Sequence, residues 1–149
     1  MQKLNFPAAD IKYKTENKKS LVLDIIRRKY VVLTPEERVR QYLLHYLVNY
    51  LKYPPGLLAV ETLVKIHGLN QRADVVAYNK KGEPSLIAEC KAPDVKIDNS
   101  VFDQAARYNL KLGVAFLLIT NGIKHYCAHL DKKQGTYKLL KKIPFYEEL

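Results

Sequence analysis

Asp74 and, fifteen positions on, the triplet Glu89-Cys90-Lys91 bring two carboxylates and an ammonium together if the chain between them folds back on itself. Arg72 to Tyr78 and Ser85 to Ala92 are apolar-rich extended runs, and Asn79-Lys80-Lys81-Gly82-Glu83-Pro84 between them is turn chemistry. A hairpin whose turn centres between Lys81 and Gly82 sets Asp74 opposite Glu89, Val76 opposite Ile87 and Arg72 opposite Lys91. Side chains two apart share a face, so Asp74, Glu89 and Lys91 are expected to project together. Opposed carboxylates repel unless positive charge lies between them, and a divalent cation fits that role. Hard oxygen ligands suit Mg2+, or Mn2+, better than Zn2+. The backbone carbonyl of Cys90 is a further candidate ligand, with its thiol expected on the opposite face. Such a centre lowers the pKa of bound water and polarises a phosphoryl oxygen, while Lys91 orients the nucleophile or stabilises transition-state charge. The chemistry is phosphodiester hydrolysis. The same three side chains would equally make a surface salt bridge on an exposed hairpin, and strand parity does not choose between the two.

The elements that must position these residues are legible in outline. Thr34-Pro35-Glu36-Glu37 has a hydroxyl N-cap, a proline at the first helical position and a glutamate placed to close a capping box. Val39, Leu43, Tyr46, Leu47, Tyr50 and Leu51 then recur at helical spacing up to Pro54-Pro55-Gly56, which predicts a helix over about 35–52. Tyr42, Tyr46 and Tyr50, at the same spacing, read as core. Leu57 to Ile66 is a further strand. Asp98-Asn99-Ser100 caps a second helix running to about Leu112, with Gly113 ending it. Val114 to Thr120 is wholly apolar up to its last residue, the pattern of a strand buried on both faces. His125 to Leu130 and Tyr137 to Ile143 read as two edge strands, and His125 and His129 as ordinary surface or half-buried histidines without a third metal ligand. Strands alternating with helices in this order make a mixed α/β sheet flanked by helices.

The chain has 149 residues, 48% of them hydrophobic and 27% charged, which predicts one domain with its own core. No apolar run reaches membrane-spanning length and the start is too polar for a secretory signal, so a cytoplasmic protein without a membrane partner is expected. Cys90 and Cys127 make neither a disulfide framework nor a zinc site. The formal net charge is +10, unevenly spread. Residues 1–33 carry 8 basic and 3 acidic groups, residues 34–131 carry 12 and 10, and residues 132–149 carry 5 and 2, so a nearly balanced core lies between basic flanks. The first 33 residues read as an irregular basic arm leading to two short apolar runs, Leu21-Val22-Leu23 and Tyr30-Val31-Val32-Leu33, expected to add short strands or cover an edge, and the last 18 as a basic strand and tail. That balance favours a nucleic-acid partner. No glycine-rich phosphate loop is present, which excludes nucleotide hydrolysis of that type.

Taken together, Asp74 and Glu89-Cys90-Lys91 resemble the core motif of the PD-(D/E)xK nuclease superfamily, with Ala73 in place of the motif's proline. Gln104-Ala105-Ala106-Arg107-Tyr108 is similar to the Q-x-x-x-Y helix motif of helicase-linked nucleases and type I restriction enzymes. Tyr30 to Gln41, Arg72 to Tyr78, Ile87 to Pro93 and Ile119-Thr120-Asn121-Gly122 resemble the N-terminal nuclease domain of the type I restriction R subunit. The likeness spans roughly residues 20–130 and lacks the motor and translocase segments that accompany the domain in those enzymes.

The resemblance implies a restriction-endonuclease-like fold and a Mg2+-dependent (or Mn2+-dependent) endonuclease acting on DNA. It implies that Asp74 and Glu89 bind the metal and Lys91 assists the attacking water. Glu37 matches the family's helix glutamate, a role that competes with its capping-box reading, and Glu36 and Glu61 are substitutes. Gln104 and Tyr108, one helical turn apart, approach the phosphate or brace the catalytic strand. Arg72 and Arg107 are candidate phosphate contacts that could also pair with carboxylates. Separate restriction-system subunits or a homodimer are the expected protein partners, since a symmetric double-strand cut would usually need two active sites. A non-catalytic nucleic-acid-binding or assembly module is the competing reading, and a small-phosphate hydrolase, which would leave the basic flanks unexplained, is a third.

Overall fold

A computed structural model describes the whole chain, Met1 to Leu149. Its first helix starts where the sequence dictates. The Thr34 hydroxyl accepts the Glu37 N–H at 3.0 Å and Pro35 occupies the first turn of α1 (Pro35–Asn49). The helix ends at Asn49 rather than near Lys52, because Lys52 takes a left-handed φ of 63° on the way into Pro54-Pro55. The capping box is only half made, since Thr34 N–H bonds to the Val32 carbonyl and the Glu37 side chain turns elsewhere.

The first 33 residues carry the two short strands that their apolar runs suggest and one more. They hold β1 (Tyr13–Glu16), β2 (Lys19–Asp24) and β3 (Lys29–Val32), an antiparallel three-stranded sheet separate from the main one. After α1 come β4 (Leu58–Ile66), β5 (Leu69–Tyr78), β6 (Pro84–Cys90), α2 (Asn99–Leu112), β7 (Phe116–Thr120), β8 (His125–Asp131) and β9 (Thr136–Leu140). The six strands form one mixed sheet in chain order. The architecture is therefore mixed α/β, as the sequence pattern indicates. β8 lies between β7 and β9, so only β9 of the last two strands is an edge. Neither helix is long and apolar enough to cross a membrane.

Two local devices set the register that matters. His67 and Gly68, with φ of 52° and 75°, make a two-residue turn that draws β5 back to Leu69, earlier than the sequence suggests. On the other side of β5 the pairs Val75↔Ala88, Val76↔Ile87 and Ala77↔Leu86 have the register expected of the hairpin. β6 and β7 run parallel, which requires a crossover, and α2 supplies it between its Asp98 cap and the left-handed Gly113.

The two helices cover opposite faces. Val39, Leu43, Leu44 and Leu47 of α1 share a core with Val75, Ala77, Leu86, Ala88, Leu118 and Cys127. Val101, Phe102, Ala105 and Ala106 of α2 pack against Ile97, Leu117 and Ile119. Each fully buried aliphatic contributes about 1.5 to 3 kcal/mol. The first residues are drawn into the same core, with Leu4 buried and Asn5 N–H donating to the Gly122 carbonyl at 2.7 Å. Tyr50 departs from the core reading, being 47% exposed, while Tyr42 and Tyr46 are partly buried against Phe6.

Gly122 makes that close approach possible. Its φ is 86°, and an added Cβ would lie 2.8 Å from Leu4 Cδ2 and 3.1 Å from Val39 Cγ2. Gly122→Ala is expected to lower stability by about 1 to 3 kcal/mol, read as an earlier urea midpoint at unchanged slope.

Candidate active site

Asp74 is the one residue of β5 with no backbone partner in either flanking ladder. Opposite it in β4, Glu61 has a φ of 49°, a left-handed conformation that costs a side-chain-bearing residue roughly 1 to 2 kcal/mol. On the other side the β5–β6 ladder stops at Val75↔Ala88, and the Cys90 N–H donates to Asp74 Oδ2 at 2.7 Å. A carboxylate thus replaces a rung. Beside it is a hollow of about 140 Å3 bordered by Asp74, Glu89 and Arg72. The Cys90 thiol lies in the α1-side core, where burial pushes its pKa up.

Burial raises the Asp74 carboxyl above the usual range. The Cys90 N–H and the Arg40 guanidinium work against the rise, and the neighbouring Glu89 and Glu61 charges add to it. Lys91 follows the end of β6, held by its N–H to the Thr120 carbonyl at 2.8 Å, and its Nζ stands 2.7 Å from Glu89 Oε1. Arg72, Glu89 and Lys91 also line a second opening of about 430 Å3, closed on its far side by Gln104 and Tyr108 of α2. Tyr108 is 63% exposed, so it is a cleft-facing rather than a core tyrosine. Arg107, also exposed, does not line the cleft.

Glu37 meets the site only through intermediaries. Its Oε1 accepts from Arg27 Nη2 at 2.8 Å and its Oε2 from Gln41 Nε2 at 3.2 Å. Arg40, almost wholly buried, reaches from α1 to Glu61 Oε1 at 3.1 Å and stands 3.7 Å from Asp74 Oδ1. Arg27 closes the chain of charges with Asp24 at 2.7 Å, and Arg72 adds a contact to Glu61 at 3.4 Å. Glu36 is exposed and takes no part. Asp24, Arg27 and Arg40 escaped the sequence reading. A signal existed for Arg40: Glu37, Arg40, Gln41 and Leu44 follow core spacing on α1, which places three polar residues on an inward face.

No three Asp, Glu, His or Cys side chains converge to cage a metal. The donor set nevertheless suits Mg2+, which commonly keeps several waters and uses one or two carboxylates together with substrate phosphate. Asp74 and Glu89 border one hollow, and the repulsion that helps raise Asp74 is what a cation would relieve.

A family model described as the type I restriction enzyme R protein N terminus (HSDR_N) matches residues 35–144. Among solved structures, a fragment of a protein described as an HsdR subunit of a type I restriction enzyme from Vibrio vulnificus YJ016 superposes with a TM-score of 0.54 at 23% identity. The alignment covers 78% of this chain and 24% of that one, so the chain spans about a quarter of its structural neighbour. No curated protein matches it.

The charge network makes stability acid-sensitive. Burial alone would raise Asp24, but hydrogen bonds from the Arg27 and Ile26 N–H groups and the Arg27 guanidinium hold it below the usual range. Asp24 therefore binds fewer protons folded than unfolded, and the stability it contributes is present above the ordinary aspartate value and lost as pH falls below it. Asp74, being raised, has the opposite sign and favours the folded state as pH falls. The urea midpoint should drop between about pH 5 and pH 2, and Asp24→Asn should be less stable at pH 7 with a shallower acid dependence.

Proposed function

We propose that this chain, which belongs to the family of type I restriction enzyme R protein N termini, is a Mg2+-dependent nuclease domain hydrolysing phosphodiester bonds of DNA. The observation that carries the reading is the shared hollow of Asp74 and Glu89, with Lys91 Nζ at 2.7 Å from Glu89, opening beside a cleft that Gln104 and Tyr108 complete.

Asp74, Glu89 and the Cys90 carbonyl would hold the cation, whose bound form supplies an acidified water and a polarised phosphoryl oxygen. The chain's own groups do the rest. Lys91, an exposed-side neighbour of Glu89, is placed to orient the attacking water or offset charge on the phosphoryl oxygens. Gln104 and Tyr108 offer an amide and a hydroxyl across the cleft for the phosphate, and Arg72 a guanidinium on the strand side. Arg107, outside the cleft, would meet a phosphate further along the strand. Arg40 acts as a positioning residue from α1, bonding Glu61 and setting its charge beside Asp74, and Glu37 acts one step further back, 3.5 Å from the Arg40 guanidinium. By the same reading the module works beside separate restriction-system subunits or as a homodimer, with DNA as its substrate.

One feature favours a second reading, a non-catalytic DNA-binding or assembly module. The acidic groups are already answered by protein cations, Glu89 by Lys91 and Glu61 by Arg40, Arg27 and Arg72.

Incubation with plasmid, linear and single-stranded DNA in Mg2+ or Mn2+ separates the two. Cleavage is expected to be metal-dependent and to fall at least a hundredfold in Asp74→Ala and Lys91→Ala while DNA affinity stays within about twofold. DNA bound but uncut by the unaltered protein on every substrate would make it the module. Because protons compete for Asp74, Mn2+ affinity measured by calorimetry should weaken as pH falls toward the raised Asp74 value, and Asp74→Asn should flatten that dependence.

A further inference from the structure

A second cleft, of about 750 Å3, shares no residue with the one beside Glu89. Its walls are aromatic and apolar, with Phe6 from the N-terminal segment, Tyr46 from α1 and Ile143 from the C-terminal segment. Its rim is basic, with Lys124 from the β7–β8 turn and Lys141 and Lys142 from beyond β9. None of its 13 lining residues is acidic. The lysine ion pairs of the protein involve Lys12, Lys14, Lys91 and Lys138, so the three rim lysines have no carboxylate partner.

His125 on the cleft wall does not add to this charge. Its Nε2 donates to the Asn5 carbonyl at 2.7 Å, leaving Nδ1 to accept the Thr120 hydroxyl at 2.7 Å, the pattern of a neutral ring. Thr120 Oγ1 accepts the Gly122 N–H at 2.9 Å, which agrees with its hydroxyl donating to the histidine. The imidazole therefore braces the N-terminal segment against β8 and keeps Phe6 in place, with ring centroids 4.4 Å apart. Three lysines without carboxylate partners, drawn from two chain segments, line one cleft and attract an anion to it. Apolar rings below a cationic rim suit a ligand with a flat body and an anionic end.

We propose that this cleft is a second anion site that takes a nucleotide unit, its base against the Phe6 and Tyr46 rings and its phosphate among Lys124, Lys141 and Lys142. The unit comes either from a free nucleotide or from a strand of nucleic acid, and the phosphate and base chemistry is shared. The site does not depend on cleavage at Asp74.

The test is equilibrium binding without divalent metal, using the full chain and four probes: dAMP, deoxyribose 5-phosphate, a labelled single-stranded oligonucleotide and its duplex. The Lys124→Ala/Lys141→Ala/Lys142→Ala variant changes exposed side chains and should keep its melting temperature within a few degrees. It should bind at least one base-bearing probe tenfold more weakly than the unaltered protein. With the single strand, its salt dependence should be shallower by roughly 2 in log–log slope, at about 0.7 per phosphate contact. A control, Lys80→Ala/Lys81→Ala/Lys133→Ala, removes equal charge elsewhere and should change affinity less than threefold. Loss of dAMP binding identifies a free nucleotide, and loss confined to the oligonucleotides identifies a strand. Deoxyribose 5-phosphate should bind more weakly than dAMP wherever dAMP binds. Equal affinities of cleft and control variants for every probe would overturn the proposal. Asp74→Ala, expected to bind all probes normally, separates this outcome from a failure of the nuclease reading.

Discussion

The hydrogen bond from the Cys90 N–H to Asp74 Oδ2 is the contact on which the arrangement of the site depends. A strand in the middle of a sheet normally gives its N–H groups to its neighbours' carbonyls, and a donor left unpaired in a buried place costs roughly 1 to 3 kcal/mol. Here β6 gives one to a side chain. That exchange ends the β5–β6 ladder at Val75↔Ala88 and leaves Asp74 outside both ladders. It also fixes where the carboxylate sits. A half-buried carboxylate needs compensation, which arrives from α1 as Arg40, itself tolerable in the interior because Glu61, Glu37 and Asp74 face it. Arg27 extends the same logic to the N-terminal sheet, whose last turn before β3 is locked by Asp24. The three-stranded sheet is thus tied electrostatically to the main one at the point where the candidate chemistry lies.

Topology explains why the opening is at this end of the sheet. β6 and β7 are parallel, so the chain leaving Cys90 must climb over one face as α2 before returning at Phe116. The other neighbour of β6, β5, is antiparallel, so the strand end is flanked by a crossover helix on one side and a hairpin partner on the other. Crevices outside the carboxyl ends of strands, where the connections change sense, are the usual place for ligands in open α/β sheets. Glu89 and Lys91 come from the strand end and Gln104 and Tyr108 from the helix, which is why residues fifteen apart in sequence line one cleft.

How much of this was legible follows from the range of the interactions involved. The α1 cap at Thr34, the limits of α2 between Asp98 and Gly113 and the pairing of Val76 with Ile87 rest on contacts a few residues apart or on one tight connection, and the sequence carries them directly. The apolar runs Leu21 to Leu23 and Tyr30 to Leu33 mark β2 and β3, but β1 was hidden because Tyr13 to Glu16 is exposed throughout and offers no apolar alternation. β8 reads as an edge strand since His125, Tyr126 and His129 dilute its pattern, yet Cys127, Ala128 and Leu130 are buried and β9 pairs beyond it. Helical spacing places Glu37, Arg40 and Gln41 on the inward face of α1, but local pattern says nothing of their partners. The links of the charge network run from Arg27 to Glu37 and from Arg40 to Glu61, and the sequence near Arg27 looks like any basic surface cluster. Strand parity named Asp74 and Glu89 as neighbours, but it could not show that Asp74 leaves the ladder, because a left-handed Glu61 is decided by the sheet and not by its own residue type.

The two oxygens of Asp74 are therefore unequal, and the inequality bears on the proposed chemistry. Oδ2 is tethered to a backbone N–H at 2.7 Å, which restricts the orientation of the carboxylate. Oδ1 stands 3.7 Å from Arg40, beyond hydrogen-bond reach but close enough to feel its charge. A cation at Oδ1 would meet an oxygen already oriented by the fold, with less side-chain entropy to lose, and positions held this way are what catalytic geometry requires. The same tether limits what the site can become. Replacing Asp74 with glutamate would keep the charge, but the longer side chain could not bond Cys90 N–H and present its second oxygen at the same point, so charge alone does not define the site. The geometry of one missing rung does.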